Sequence, residues 1–501
     1  MIKYRGLRVL GNFINGEFKI PSDVSGEWVS RSPADLNDEF GRFQYSYRSV
    51  EDAVKCARDA FSAWKKTPVS TRAEILKKLQ GALARRKEEI AEVIAREAGK
   101  PQWEAAAEVG AMIENIGVVL EHSLPVVGDY DIPNGACRHR PLGVAAVVGS
   151  FNYPGDLPNG HILPALLTGN TVVFKPSEKS PMAGQLLAEC FSETGLPPGV
   201  FNLVQGEKEL SRRLCVHDGV DAVLFTGSYE VGTRIKQDTL QQHWKLLVLE
   251  MGSKNPAIVW HDADLELALQ QCLIAGFVSA GQRCSATSRI IVHNKVLDSF
   301  ISRFHEHAKA FKIGHPLENP FMGPLIDQSS VDRYMKFQGI AAREGCELVM
   351  RGKSLELGVT GNYVAPSICW VQKSSVEAAR KSVYQQSELF APNVAILGVD
   401  ELDEAIAQAN VTQYGLVASV YTRDRAVYQK CWDGLQMGLI NWNQPTITAS
   451  PLLPFGGLKK SGNHFPSGAT AARYCTYPVS SLESAEPTSI AVGFLGLNWT
   501  K

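Results

Sequence analysis

Apolar residues recur along this chain with two different periods, and the change of period divides it. Over 54–64, and again at Ile75, Leu76, Leu79, Leu83, Ile90, Val93 and Ile94, they fall three and four apart, the spacing of helices with one buried face. The second helix is expected to open near Thr71, with Glu74 completing a capping box, and to stop at Gly99. Ahead of both, segment 13–18 reads as a hairpin turning at Asn15-Gly16. From residue 142 short unbroken apolar runs take over. Segments 144–148, 171–174, 200–204 and 222–225 read as buried strands, with helices over 157–167 and 181–193 between them. Such alternation predicts an α/β fold built on a parallel, doubly wound sheet. A second alternating region runs from Ala257 to about Leu453, with Cys284 expected near the start of a helical stretch. The tail from Glu486, with Phe494 and Leu497, is apolar enough to pack onto something.

In doubly wound sheets ligands bind beyond the carboxyl ends of the strands, so the residues that follow each strand carry the chemical reading. Phe151-Asn152-Tyr153-Pro154 follows the first run. The Asn152 amide can donate to a developing oxyanion, a role worth about 3 kcal/mol; taken alone, Asn before an aromatic and a proline reads first as a turn. Lys175-Pro176-Ser177-Glu178 follows the second. Its lysine suits ribose hydroxyls or a phosphate, and its glutamate accepts from a ribose 2′-OH while repelling a 2′-phosphate, which favours NAD over NADP. A solvated charged loop reads equally well there. Thr226-Gly227-Ser228-Tyr229-Glu230-Val231-Gly232 is a strand–glycine–helix junction that suits a pyrophosphate. It falls short of the full dinucleotide fingerprint, and Ser228 serves as a helix cap in either case.

The apolar run 246–249 ends in Glu250-Met251-Gly252, and Gly281-Gln282-Arg283-Cys284-Ser285 comes later. A thiol nucleophile with a carboxylate to activate water is the minimum equipment for making and hydrolysing a thioester. Glu388-Leu389-Phe390-Ala391-Pro392 adds a second carboxylate and an aromatic suited to a nicotinamide ribose. Pro454-Phe455-Gly456-Gly457 leads into Ser461-Gly462-Asn463-His464, a glycine-rich loop. Both read as ordinary loops without the rest.

At 501 residues two or more domains are expected. Lys+Arg of 51 against Asp+Glu of 52 gives a formal net charge of −1, which supplies no reason to propose nucleic acid or an anionic membrane as partner. No apolar run reaches membrane-spanning length, and no apolar core follows the N-terminus, so a cytoplasmic protein is expected. The ten cysteines form no Cys-x-x-Cys pair, which argues against a zinc site and a disulfide framework and leaves no metal expected.

Taken in order, seven of these segments make the chain similar to the aldehyde dehydrogenase superfamily over essentially its whole length: Phe-Asn-Tyr-Pro, Lys-Pro-Ser-Glu, Phe-Thr-Gly-Ser, Leu-Glu-Met-Gly, Gly-Gln-Arg-Cys, Glu-Leu-Phe-Ala-Pro and Pro-Phe-Gly-Gly. Within it, Asp156-Leu157-Pro158-Asn159-Gly160-His161, Met251, Ser461-Gly462-Asn463-His464 with Pro466-Ser467, and Tyr474-Cys475-Thr476-Tyr477-Pro478-Val479 resemble the N-succinylglutamate 5-semialdehyde dehydrogenases of arginine catabolism. Three places depart from that pattern: Ser253 where a second glycine is usual, Phe465 where a basic residue is usual, and Ser285-Ala286-Thr287-Ser288 after the cysteine.

The resemblance implies Cys284 as nucleophile, Asn152 with the Cys284 N–H as oxyanion donors, and Glu250 as the base for hydrolysis. It implies NAD held by Phe151, Lys175, Glu178, Gly227, Ser228, Tyr229, Glu230, Val231, Gly232, Glu388 and Phe390. A succinylated glutamate semialdehyde carries two carboxylates, so Arg283, Ser285, Lys459 and Ser461, with Lys460 and Arg289, are the substrate candidates. The implied domains are a Rossmann-like NAD domain of 1–120 and 141–253, a catalytic domain of 254–455, and a small β arm of 121–140 with the C-terminal segment 456–501. Pairing of that arm with a strand near 470–485 would join subunits into a homodimer or homotetramer. Other semialdehydes (glutamate or succinate semialdehyde) are the alternatives within the reaction. An NAD-binding homologue that has lost catalysis, or a thiol hydrolase, are the alternatives outside it.

Overall fold

Two seven-stranded sheets carry the chain in this computed structural model, which describes residues 6–372 and 375–484. The apolar tail expected beyond Glu486 lies outside the described residues. The first sheet has the order Leu246–Glu250, Ala222–Thr226, Val144–Val148, Thr171–Lys175, Phe201–Leu203, Asn12–Ile14, Glu17–Lys19. Its first five strands are parallel, and the N-terminal hairpin closes the far edge antiparallel. Because successive side chains of a strand face opposite ways, Ala145 and Val147 join one apolar core while Val144, Ala146 and Val148 join another. Burial on both faces is why these runs are unbroken in sequence. The helices Val69–Arg85, Lys87–Ala98, Gln102–Val118, Asp156–Leu167 and Pro181–Ser192 supply the first core, and Arg48–Trp64 and Lys208–Val216 supply the second. Strand order reverses between Val144–Val148 and Ala222–Thr226, so the crevice favoured for ligands opens at Gly149 and Gly227.

The second sheet has the order Glu347–Met350, Ser367–Val371, Asn393–Val399, Thr287–His293, Asn255–Val259, Val417–Tyr421, Leu439–Trp442, parallel apart from its first strand. Only residues 251–254 separate the last strand of the first sheet from the opening strand of the second. A third sheet pairs Thr476–Leu482 with Gly135–Pro141, and that with Tyr130–Ile132. The expected pairing of arm and C-terminal strand is therefore made within one chain, which leaves Thr476–Leu482 as an outer strand.

Three local expectations are corrected. The helix expected near Thr71 starts at Val69, follows Pro68 and has no side-chain cap, because proline already presets the backbone entering the helix. It also breaks at Arg86, so two helices, Val69–Arg85 and Lys87–Ala98, share the apolar stripe that ends at Gly99. Cys284 does not open a helix. It lies in a turn after Val278–Gly281 and before the strand Thr287–His293, where Ala286 N–H donates to the Arg283 carbonyl at 3.1 Å.

Candidate active site

The edge strand Leu246–Glu250 would expose unpaired backbone if nothing covered it. Asn463 covers it: its Oδ1 accepts from Leu249 N–H at 2.8 Å and its Nδ2 donates to the Leu247 carbonyl at 3.1 Å. The loop that carries Ser461 and Gly462 continues the seal, with Met251 N–H donating to the Ser461 carbonyl at 2.9 Å. Glu250 is thereby fixed at the strand end, 1% exposed. Its carboxylate stands 3.9 Å from the Cys284 sulfur. Burial pushes the Glu250 carboxyl up to about 7, and the neighbouring Asp156 adds to the shift. Burial also pushes the Cys284 thiol up, as do Glu250 and Glu388, while Arg283 and a hydrogen bond from the Ser285 backbone oppose them.

Asn152, buried just past the Val144–Val148 strand, donates from Nδ2 to the Gln282 carbonyl at 3.0 Å. That bond ties the amide to the segment leading into the Cys284 turn. Gln282 is in turn held by its own side chain, which accepts from Ile326 N–H at 2.9 Å.

A second cluster forms around the crevice. Lys175 is 2% exposed at its strand end, 3.1 Å from Glu178. Burial lowers the lysine's pKa against the pull of Glu178; burial raises that of Glu178, but Lys175, a backbone hydrogen bond and Lys179 together hold the carboxyl below its usual value. Ser228 caps the helix Tyr229–Asp238, accepting from Val231 N–H at 3.3 Å, and Gly232 is packed against Met251. Glu230 and Val231 are exposed on the first turn of that helix, and the Lys460 ammonium lies 4.6 Å from the Tyr229 ring. Phe151 and Phe390, far apart in sequence, meet edge to face with centroids 5.9 Å apart. Glu388 accepts from Ser253 N–H at 2.7 Å, and burial raises its carboxyl to about 7.

The substrate candidates are placed unevenly. Arg283 and Ser285 flank Cys284, but the Arg283 guanidinium is paired with Glu104 at 2.7 Å and bonded to Ser279 Oγ at 2.8 Å. Arg289 is fully buried inside the second sheet, held by the Gln408 carbonyl and Gln385, so it is a packing residue. Ser461 is fully buried and accepts from Gly415 N–H at 3.0 Å, away from the substrate role expected of it. Lys459 is exposed and donates to the Asn410 and Thr412 carbonyls at 3.2 and 3.4 Å, so it too is committed elsewhere. The site also holds Glu104 and Asn255, which no motif marks, and Asp156 and Gln282, which lie inside motifs that assign them no role. Asn255 had one signal, an amide at the head of an otherwise apolar strand.

The model of the aldehyde dehydrogenase family matches residues 23–479. The chain belongs to the aldehyde dehydrogenase family. Among curated relatives, the N-succinylglutamate 5-semialdehyde dehydrogenase of Novosphingobium aromaticivorans is 38% identical over 89% of this chain and 94% of that protein. The one from Chromobacterium violaceum is 36% identical over 94% of this chain and 99% of that protein. A Pseudomonas syringae aldehyde dehydrogenase C variant, solved with NAD+ and octanal, superimposes with a TM-score of 0.90 at 28% identity, covering 95% of this chain and 98% of that one. A 1-pyrroline-5-carboxylate dehydrogenase from Thermus with bound NAD gives 0.87 at 28% identity, covering 95% and 93%. As an aldehyde dehydrogenase the chain is an enzyme, and among its described residues no helix is long and apolar enough to cross a membrane.

Proposed function

We propose that this aldehyde dehydrogenase oxidises N-succinyl-L-glutamate 5-semialdehyde to N-succinyl-L-glutamate with NAD. The observation that carries the chemistry is the 3.9 Å approach of the Cys284 thiol to the Glu250 carboxylate at the junction of the two sheets; the substrate reading is supported by the relatives at 36–38% identity. The crevice fits the cofactor. A Cβ on Gly227 would lie 2.4 Å from the Phe225 ring, so the backbone there stays bare at a helix N-terminus that favours a pyrophosphate. Lys175 and Glu178 match an adenosine ribose, Glu388 a nicotinamide ribose, and Phe151 and Phe390 the faces beside it.

In this reading the Cys284 thiolate adds to the aldehyde carbon, and the oxyanion is held by the second Asn152 amide hydrogen and the Cys284 N–H. NAD, when bound, accepts the hydride that leaves that carbon, and Cys284 is left as a thioester. Glu250 then takes a proton from water, the hydroxide displaces the thiolate, and the acid leaves. Arg283 and Ser285 flank the reacting carbon, and Arg283 reaches a substrate carboxylate on release from Glu104. Domain boundaries at 1–120 with 141–253, 254–455, and 121–140 with 456–501 belong to the same reading. So does a homodimer or homotetramer joined through the Thr476–Leu482 edge.

The test is NADH formation at 340 nm with N-succinylglutamate, glutamate and succinate semialdehydes, each with NAD and NADP. A kcat/KM for the succinylated substrate at least about tenfold above the others, with NAD, supports the proposal. Preference for another aldehyde overturns the substrate and keeps the mechanism. Turnover that survives Cys284→Ala overturns the mechanism.

A further inference from the structure

The turn that presents Cys284 is held from behind by a residue the family resemblance did not anticipate. Ala286 N–H bonds the Arg283 carbonyl at 3.1 Å, so Cys284 and Ser285 occupy the two central positions of a β-turn. The peptide between such residues is the part of a turn that rotates most freely, since turn types I and II differ chiefly in which way it faces. Here its carbonyl is clamped. The Ser253 hydroxyl donates to the Cys284 carbonyl, and Asn255 Nδ2 approaches the same oxygen at 2.8 Å. The Asn255 amide also approaches Ser253 Oγ at 2.7 Å and the Ala286 carbonyl at 2.9 Å. Its two hydrogens are thus shared among three acceptors, whereas the Ser253 hydroxyl hydrogen is committed to the Cys284 carbonyl alone. The other end of that peptide is the Ser285 N–H, and the Ser285 backbone counts among the groups that lower the Cys284 pKa against burial. Ser253 N–H meanwhile holds Glu388 at 2.7 Å. A glycine, usual at this position in the resemblance, would keep the Glu388 bond and lose the hydroxyl, leaving the Cys284 carbonyl to an Asn255 amide that also serves Ala286.

We propose that Ser253 is a positioning residue for the nucleophile, its hydroxyl on the Cys284 carbonyl fixing the orientation of the Cys284–Ser285 peptide in the turn that carries the sulfur. A hydrogen bond from that backbone favours the thiolate over the thiol. It acts against the two carboxylates that face the same atom, Glu250 and Glu388, and on the same side as Arg283. The proposal rests on Cys284 being the nucleophile, and the two are separable. If Cys284→Ala keeps turnover, that reading fails whatever Ser253 does.

The experiment uses the full chain with Ser253→Ala, Ser253→Gly and Ser253→Thr. Three quantities are measured: kcat and KM for the aldehyde, NAD binding by protein fluorescence, and the rate of Cys284 alkylation by iodoacetamide from pH 6 to pH 10, in conditions roughly spanning thiol ionisation. Loss of the hydroxyl is expected to lower kcat roughly three- to tenfold, the range of one neutral hydrogen bond. NAD binding should hold, and the alkylation profile should move to higher pH. Ser253→Thr, which keeps a hydroxyl, restores both. A kcat and an alkylation profile of Ser253→Ala and Ser253→Gly unchanged within a factor of about two overturn the proposal. So does a loss shared equally by Ser253→Thr, since that would make the position one of size and not of hydrogen bonding.

Discussion

At the scale of single residues, the site sets one requirement on ionisation and one on space. In the proposed mechanism Glu250 has to be a carboxylate to take a proton from water, yet burial, with Asp156 beside it, raises its pKa to about 7. A raised pKa means the base is lost as pH falls through that value, so steady-state turnover is expected to climb between about pH 6 and pH 8. Glu250→Gln should remove that limb and lower kcat by about 10²- to 10⁴-fold, while a first-turnover burst of NADH survives, because the base acts only after the hydride has left. Stopped-flow absorbance distinguishes this from a loss of binding. Gly252 sets a second requirement. A Cβ there would lie 2.0 Å from Glu388 Oε2, so Gly252→Ala must push that carboxylate away. The expected result is a KM for NAD raised about tenfold with a smaller change in kcat, measured in the same assay.

At the scale of elements, the strands that position the site were legible because burial on both faces writes them as unbroken apolar runs, and strand ends then point to Asn152, Lys175, Gly227 and Glu250. What stayed hidden depends on residues distant in sequence. Arg289 looks available beside Cys284, and only the fold brings Gln408 and Gln385 to occupy it. Arg283 is likewise taken by Glu104, which the helix Gln102–Val118 delivers from the other half of the chain. The Thr71 capping box failed for a local reason, the proline three residues earlier. Helix placement has its own test. Arg96 in Lys87–Ala98 makes a two-pronged bond to Asp38, with both side chains 2% exposed. Asp38→Ala leaves a buried guanidinium without its main counter-charge, at a cost of about 3–5 kcal/mol. A fall in thermal midpoint of several degrees by differential scanning fluorimetry is the expected reading, with turnover at 25 °C largely kept.

At the scale of the whole molecule, the outer strand Thr476–Leu482 is a place where one chain can meet another, with Tyr477 44% and Leu482 89% exposed. Replacing both by Lys should lower the mass found by light scattering to that of a single chain if assembly runs through this edge, and leave it unchanged otherwise. The crossing between the two large sheets has a wider consequence. Of its four residues, Met251 packs on Gly232, Gly252 makes room for Glu388, Ser253 holds the Cys284 carbonyl and Lys254 faces the Tyr384 ring. The four answer to three segments, around Gly232, Cys284 and 384–388, drawn from both sides of the junction. The part of this enzyme built on the first sheet and the part built on the second are therefore poor interchangeable parts. A hybrid spliced at residue 251 or 254 from two relatives would inherit a linker fitted to one parent's loops and facing the other's, so productive recombination breakpoints should fall well away from this tetrapeptide.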